Sequence, residues 1–377
     1  MDGQKSRRRT AVALWIADAA VFCVSVAVAV ALLLSYAAPY VNPNATGWLA
    51  FAGLAAPFLY VGNIVLLLYW TVRWKPVAFF LAAVALLGVG HVTKFYRPQI
   101  GRTYEQPRVA GTFRVLSYNV EGFFGRDSLG KRENRMDTVA AFIREMDPDV
   151  VCLQEFETNY LNPPERFDGA LEAWKYKQLF LETDEQKRSG RGLAVYSKYP
   201  LLRRGGIRYP DSRNSSMWVD VAIHRDTLRV YNNHLQSTQV SEDDREYLGA
   251  MTKLADTLTD ERAKSILRKL DRNFKVRATQ ADSVARFIHD GRPRVVVCGD
   301  FNDTPMSYTY RRMRGDLVDA FSRRGHGAIN TYRGLLGVFR IDYLFHSDDM
   351  ETVAYDSELP LWSDHNPVIV DLKFRSR

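Results

Sequence analysis

Three long apolar segments occupy most of the first 95 residues, and they constrain what the chain can fold into. They cover residues 11–38, 48–70 and 76–93. A helix rises about 1.5 Å per residue, so each segment reaches roughly 25 Å or more, comparable with the hydrocarbon core of a bilayer. Asp18 is the one acidic residue inside them. Trp48 and Trp70 bound the second, and indole rings suit the headgroup region. Buried helices of a soluble protein would be the alternative, but three such runs in succession favour spanning. The expectation is a multi-pass membrane anchor of three transmembrane helices over residues 1–97.

Orientation follows from Lys and Arg. Lys5, Arg7, Arg8 and Arg9 precede the first segment, the 38–47 loop has no charge, and Arg73 and Lys75 follow the second. This places the N-terminus and the second loop in the cytoplasm, and three crossings leave the rest of the chain outside it. Lys94, Arg97, Arg102 and Arg108 on that far side pull mildly the other way. A cleaved signal peptide is an alternative for the first segment, although its long apolar stretch argues against that. Cleavage would leave the domain on the same side.

The net charge of +8 suggests a nucleic-acid partner until it is located. Residues 1–100 hold eight Lys or Arg and two acids, so the segments' flanks account for six of the excess charges. The remainder is close to neutral, which weakens the case for a strong phosphate-backbone footprint. Cys23, Cys152 and Cys298 show neither a pairing pattern nor metal-ligand spacing and read as packing residues.

Residues 98–111 read as a linker, and residues 112–377 as one α/β domain. Short runs rich in β-branched residues predict strands at 113–119, 150–154, 192–197, 217–223, 228–235, 294–299, 341–345 and 367–374. The 217–223 and 228–235 runs flank a charged turn and predict a hairpin. Helical patterns fall at 133–146, 243–257 and 274–289. Strands and helices intermix, which predicts a mixed-sheet α/β sandwich rather than a purely parallel doubly wound sheet. The charged stretch 241–277 reads as surface helices, its signs being mixed.

Polar residues cluster where these strands run out: Asn119, Glu155, His234, Asp300 with Asn302, Asp342, and Asp364 with His365. A sheet holds the backbone rigid at such points, which is where catalytic groups sit best. Any one of them alone has an ordinary explanation as a turn cap or a solvated side chain. Together they suit one task. Carboxylates and an amide oxygen fit a hard divalent cation such as Mg²⁺, with Mn²⁺ as a substitute. Imidazoles and amides fit a phosphoryl group gathering charge in its transition state. No HExxH, CxxC, Walker loop, G-x-S-x-G elbow or GxGxxG string is present, so zinc-protease, NTPase, serine-hydrolase and dinucleotide readings lack support.

The strings SYNV (117–120), LQE (153–155), GLAVYSK (192–198), NNHLQS (232–237), GDFND (299–303), IDYLF (341–345) and SDHNPV (363–368) resemble, in order, those of the endonuclease/exonuclease/phosphatase superfamily. Asn233 is a small departure from the more usual N-T-H-L wording. The resemblance implies a deoxyribonuclease-like, two-sheet, four-layer α/β sandwich with the site at one end. It implies Glu155 as the main Mg²⁺ ligand, Asn119 binding the metal or its water, and Asp364 contributing to metal binding. Asp300 would activate the attacking water, and Asn302 would orient water and phosphate. His365, held by Asp342, would stabilise the pentavalent transition state, and His234 would contact the scissile phosphate. The residues alone do not choose between base and ligand for Asp300 and Asp364. Arg191 and Arg340 can reach a substrate phosphate or be ordinary surface residues. His91, His224, His289, His326 and His346 read as structural or exposed.

The expected activity is hydrolysis of a phosphodiester or phosphomonoester by in-line attack of activated water, on nucleic acid or nucleotides. The alternative is a lipid headgroup or small phosphorylated metabolite, which the anchor favours. A non-catalytic membrane scaffold is a distant third, because every carboxylate and histidine of the constellation is present.

Overall fold

The structure is a computed structural model that describes residues 2–98, 108–126, 132–184, 186, 188–210, 212–238, 261–288, 294–334, 337–357 and 362–375. It divides into two compact units, Met1–Thr93 with Met306–Tyr308, and Lys94–Pro305 with Thr309–Arg377.

The first unit contains α1 (Asp2–Ala37), α2 (Trp48–Val72), α3 (Val77–Leu87) and α4 (Val89–Val92). Apolar side chains point outward all round: Trp15, Phe22, Leu68 and Phe79 are exposed. That is the surface expected of helices solvated by lipid rather than water. Asp18 is not left bare, since its two oxygens accept from Tyr69 Oη and Arg73 Nη2, both at 2.7 Å. Asn63 donates to the Leu81 carbonyl at 3.1 Å, and Trp70 Nε1 to Ser25 Oγ at 2.8 Å.

Two segments, Ala11–Tyr40 and Trp48–Val72, are long and apolar enough to cross a bilayer, which corrects the expectation of three. The third is interrupted at Gly88. Its longer part, α3, has 11 residues, a reach of about 16 Å against the roughly 30 Å of a hydrocarbon core. Gly88 lies so close to α1 that a Cβ there would sit 2.1 Å from Tyr36 Oη. The glycine therefore permits a tight approach, and the helix breaks at it.

In the second unit the strands are β1 (Tyr96–Arg97), β2 (Phe113–Asn119), β3 (Phe124–Arg126), β4 (Arg132–Asn134), β5 (Val150–Thr158), β6 (Tyr176–Asp184), β7 (Ser189–Ser197), β8 (Leu201–Arg208), β9 (Ser215–Ile223), β10 (Asp226–His234), β11 (Val295–Asp300), β12 (Val318–Asp319), β13 (Gly327–Ala328), β14 (Asp342–His346), β15 (Met350–Asp356) and β16 (Val368–Phe374). The helices are α5 (Met136–Met146), α6 (Pro164–Ala170), α7 (Glu261–Ile288), α8 (Tyr308–Arg314) and α9 (Ala320–Arg324). One six-stranded sheet has the order β12-β14-β11-β10-β9-β8, the other β15-β16-β2-β5-β7-β6. Each carries one parallel pair near its middle, β10 with β11 and β2 with β5. The mixed sheet and the β9–β10 hairpin follow the expectation.

The inner faces meet in a core that includes Val115, Cys152 and Val195 from one sheet and Val219, Val230 and Cys298 from the other. Both cysteines are buried and free. Outside the first sheet, Ala281 and Val284 of α7 pack on Tyr231 and Val297. Outside the second, Val139 and Ile143 of α5 pack on Leu116 and Val151. The result is four layers, helix, sheet, sheet, helix. The predicted helix at 243–257 lies outside the described residues, and α7 is described from Glu261 on, so it already covers residues well before the expected 274. β1 already pairs with β13, so residues just before the expected linker belong to this unit.

Candidate active site

Sheet register brings three of the sequence-picked residues into one row. His234 ends β10 and lies opposite Asp300, the last residue of β11. Asp300 in turn lies opposite Asp342, the first residue of β14. Gly299 makes this row possible: its φ is +125°, and a Cβ there would meet the Asn233 carbonyl oxygen at 2.0 Å. His365 closes on the row, its Nδ1 2.9 Å from Asp342 Oδ2 and its Nε2 3.6 Å from Asp300 Oδ2.

The second sheet faces this row with Asn119 and Glu155. Asn119 ends β2 and donates from Nδ2 to Asp300 Oδ2 at 3.0 Å, joining the two sheets. Glu155 sits at a bulge in β5, where the partner register steps from Leu153 opposite Ala194 to Phe156 opposite Gly192. Its φ is +53°, a costly value for a glutamate. The extra residue re-aims the carboxylate, as bulges beside active sites do. Beneath it Gln154 donates to Asn232 Oδ1 at 2.7 Å, and Asn232 donates to the Leu153 and Ala194 carbonyls, a polar strut between the sheets.

Loop residues complete the site. Asn302, at φ +54°, donates its backbone N–H to Asp300 Oδ1 at 2.8 Å and its side-chain amide to the Leu235 carbonyl at 3.1 Å. Asp364 stands at the mouth, its side chain 34% exposed and its Oδ1 3.8 Å from His365 Nε2. Ser363 Oγ donates to the Asn119 carbonyl and accepts from the His365 N–H, tying this loop to β2. Thr331 Oγ1 accepts from the N–H groups of both Ile341 and Asp342, each at 2.9 Å. Thr331→Val keeps the shape and leaves both donors unpaired, so it lowers stability by about 1–3 kcal/mol, measured by urea unfolding. Unchanged stability would mean those groups find another acceptor.

The electrostatics separate the groups. Burial drives the His234 imidazole down to about 4, so it is neutral, and its Nε2 has no hydrogen-bond partner among the described residues. That nitrogen lies 3.5 Å from Glu155 Oε1 and 3.7 Å from Asp300 Oδ2. Burial also pushes Asp300 up to about 7, the nearby carboxylate of Asp342 adding to it. For His365 burial favours the neutral ring, but Asp342, Asp300 and Asp364 outweigh it and hold the imidazolium well above its usual range. Glu155 resists the upward push of burial through His234, Arg191 and His365 and stays below the usual glutamate value.

Sequence reading missed Glu121. Burial and the neighbouring Asp364 push its carboxyl up to about 7, and its Oε2 accepts the Asp364 N–H at 3.1 Å. The one signal was its place two residues beyond Asn119. Arg191 does reach the site, pairing with Glu155. Arg340 does not: it is buried and holds Asp319 through two bonds, so both sequence readings of it, as a phosphate contact or a surface residue, are corrected. His346 is structural, bonded to Thr352 Oγ1 at 2.7 Å.

These donors fit a hard metal ion. Asp300, Asp342 and His365 offer ligand atoms within 4.8 Å of one another. The bulge at Glu155 turns a further carboxylate toward the orphaned His234 Nε2, and Asp364 adds oxygen at the mouth. The set is rich in carboxylate oxygen and contains no thiolate, which suits Mg²⁺ or Mn²⁺ better than a structural zinc.

Residues 116–365 match the endonuclease/exonuclease/phosphatase family, and residues 18–95 match a domain of unknown function. The chain belongs to the endonuclease/exonuclease/phosphatase family, metal-dependent hydrolases that act on phosphoester bonds. An endonuclease/exonuclease/phosphatase from Beutenbergia cavernae superposes with a TM-score of 0.52 at 19% identity, covering 72% of each chain. The human nocturnin catalytic domain with bound sulfate gives 0.47 at 14% identity, over 71% of this chain and 96% of that one. Truncated Caenorhabditis elegans TDP2 gives 0.47 at 18%, over 70% and 98%. No curated protein matches.

Proposed function

We propose that the chain is a membrane-anchored, Mg²⁺-dependent phosphoesterase that cleaves its substrate by in-line attack of water. The reading rests on one observation: the His234–Asp300–Asp342 row, capped by His365, faces Glu155 across the two sheets. Glu155 would hold the ion, with Asn119 and Asp364 contributing directly or through water, and the chemistry it would supply there is charge neutralisation at the phosphoryl oxygens. Asp300 takes the proton of the attacking water. Asn302 and Asn119 fix its two oxygens, so the carboxylate is positioned before substrate arrives. His365 places positive charge against the pentavalent phosphorus, and Asp342 orients its ring. His234 is neutral, its Nε2 has no hydrogen-bond partner among the described residues, and that nitrogen hydrogen-bonds the scissile phosphate.

The catalytic domain's near-neutral balance favours a compact phosphate ester, such as a lipid headgroup or small metabolite, over a long polynucleotide. The purified full-length chain in detergent is expected to hydrolyse an aryl phosphodiester or monoester in Mg²⁺, and EDTA is expected to remove at least about a hundredfold of that rate. Hydrolysis indifferent to EDTA would defeat the metal mechanism. Plasmid DNA cut faster than any small ester would defeat the substrate preference.

We also propose that the two long apolar segments, Ala11–Tyr40 and Trp48–Val72, anchor the chain in a bilayer. The Asp18 carboxylate, the one acid inside them, is paired with Arg73 and so does not stand against burial in lipid. The full-length chain is expected to stay in the membrane pellet after alkaline carbonate washing. Release into the soluble fraction would remove the anchor.

A further inference from the structure

Beside Glu155 lies a cavity of about 450 Å³ whose lining includes Arg191, Arg208, Arg213, Glu182, Asn214 and Ser215. Three guanidinium groups against one carboxylate give it a net positive charge. Arg191 already pairs with Glu155 and, at 3.8 Å, with Glu157. Arg208 and Arg213 make no ion pair among the described residues. Arg208 is set in place without being neutralised: its Nη2 donates to the Leu181 carbonyl at 2.9 Å, and its Cζ lies 4.5 Å over the Phe180 ring. The rest of its donor fork has no hydrogen bond among the described residues.

The cavity is built into the catalytic end of the sheet. Ser215 is the register partner of His234. The Leu235 carbonyl accepts from Asn214 Nδ2 and Asn302 Nδ2, each at 3.1 Å, so one oxygen ties the cavity wall to the candidate catalytic loop. Unpaired surface arginines are ordinary, but three that line one concavity, whose Arg191 pairs with Glu155 and whose Ser215 is the register partner of His234, are not. The rest of the domain carries balanced charge, so this concentration is local. Planar guanidinium forks match phosphate oxygens two at a time.

We propose that this cavity is an anion subsite that binds a second phosphate of the substrate, beside the one being cleaved. The proposal rests on the phosphoesterase reading for what lies next door, and it names the substrate class: a compact ester carrying two phosphates. The volume suits one phosphate and its bearer, not a continuing strand. A bisphosphorylated lipid headgroup and a free bisphosphorylated metabolite share this chemistry.

The test uses the full-length protein in detergent. Calorimetric titration with inorganic phosphate in EDTA reads the subsite without catalysis. Arg208→Gln/Arg213→Gln is expected to weaken phosphate binding by about tenfold or more, with thermal melting unchanged. Arg268→Gln, on the exposed face of α7, serves as the charge control and is expected to bind phosphate as the wild type does. In Mg²⁺, the kcat/KM ratio of a nucleoside 3′,5′-bisphosphate over the 5′-monophosphate is expected to fall in the double variant. Vesicles bearing a bisphosphorylated inositol lipid form the parallel arm, against monophosphorylated vesicles. A fall confined to vesicles assigns the lipid source, and one confined to the soluble pair assigns the free metabolite. Equal phosphate binding by wild type and double variant overturns the subsite even where hydrolysis is confirmed. Arginine-dependent phosphate binding in a protein that hydrolyses no phosphoester keeps the subsite and removes the proposed function.

Discussion

Asp300→Asn is expected to lower kcat about a thousandfold, roughly 4 kcal/mol of transition-state stabilisation, in a protein that remains folded. Asp300 is 1% exposed, its Oδ1 held by the Asn302 N–H and its Oδ2 by Asn119 Nδ2. The amide has the same shape and keeps an oxygen for one of these donors, so the loss falls on proton transfer rather than on packing. A carboxylate fixed by two donors is also what a metal ligand looks like, and the two roles separate by titration. If Asp300 is the base, the residual rate saturates at the wild-type Mg²⁺ concentration and no excess of metal restores it. If the variant recovers wild-type kcat at high Mg²⁺, Asp300 is a ligand and the base lies elsewhere. Wild-type kcat at ordinary Mg²⁺ would remove it from the chemistry altogether.

The parts of this molecule legible in its sequence share a physical cause. Interior strands such as β2, β5, β10 and β11 bury both faces and read as apolar runs that end in a polar residue. Their positions, and the row of groups at their ends, follow from that pattern. Eight of the described strands are absent from the sequence reading: β6, β8, β12 and β15 are the four edges of the six-stranded sheets, and β1, β13, β3 and β4 form the two short two-stranded pairs. An edge strand carries charge and exposes alternate side chains, as Leu201–Arg208 does with its three arginines, and so resembles a loop. The bulge at Glu155 was invisible for a different reason: its register slip depends on the pairing of β5 with β7, not on either strand alone. Glu121, Thr331 and Arg340 take their roles from tertiary neighbours, Asp364, the Ile341–Asp342 amides and Asp319 respectively. The length of the third apolar segment was legible, but its break at Gly88 was not. A lone glycine in an apolar helix becomes a stop only where a neighbour such as Tyr36 packs against it.

His365→Ala is expected to lower kcat by about a hundredfold to a thousandfold, near 3–4 kcal/mol, and Asp342→Asn by about tenfold to a hundredfold. His365 is 4% exposed, yet its Nε2 stands within 4 Å of Asp300 and Asp364, where the proposed mechanism puts a phosphoryl oxygen that gathers charge. On the proposed mechanism Asp342 acts through the 2.9 Å bond to His365 Nδ1, as a positioning residue. Replacing its carboxylate by an amide removes the charge that keeps the ring cationic. The ring retains its shape and a neutral N–H, which is why the smaller loss is expected. This dependence makes the pair non-additive: with His365 already absent, Asp342→Asn has nothing left to orient, and the double variant should match His365→Ala alone. KM should change little in all three, because the interaction strengthens as the transition state forms rather than on binding. Losses that multiply in the double variant would show that Asp342 has an independent task, as a metal ligand with Asp300, and that the imidazole is not its only partner.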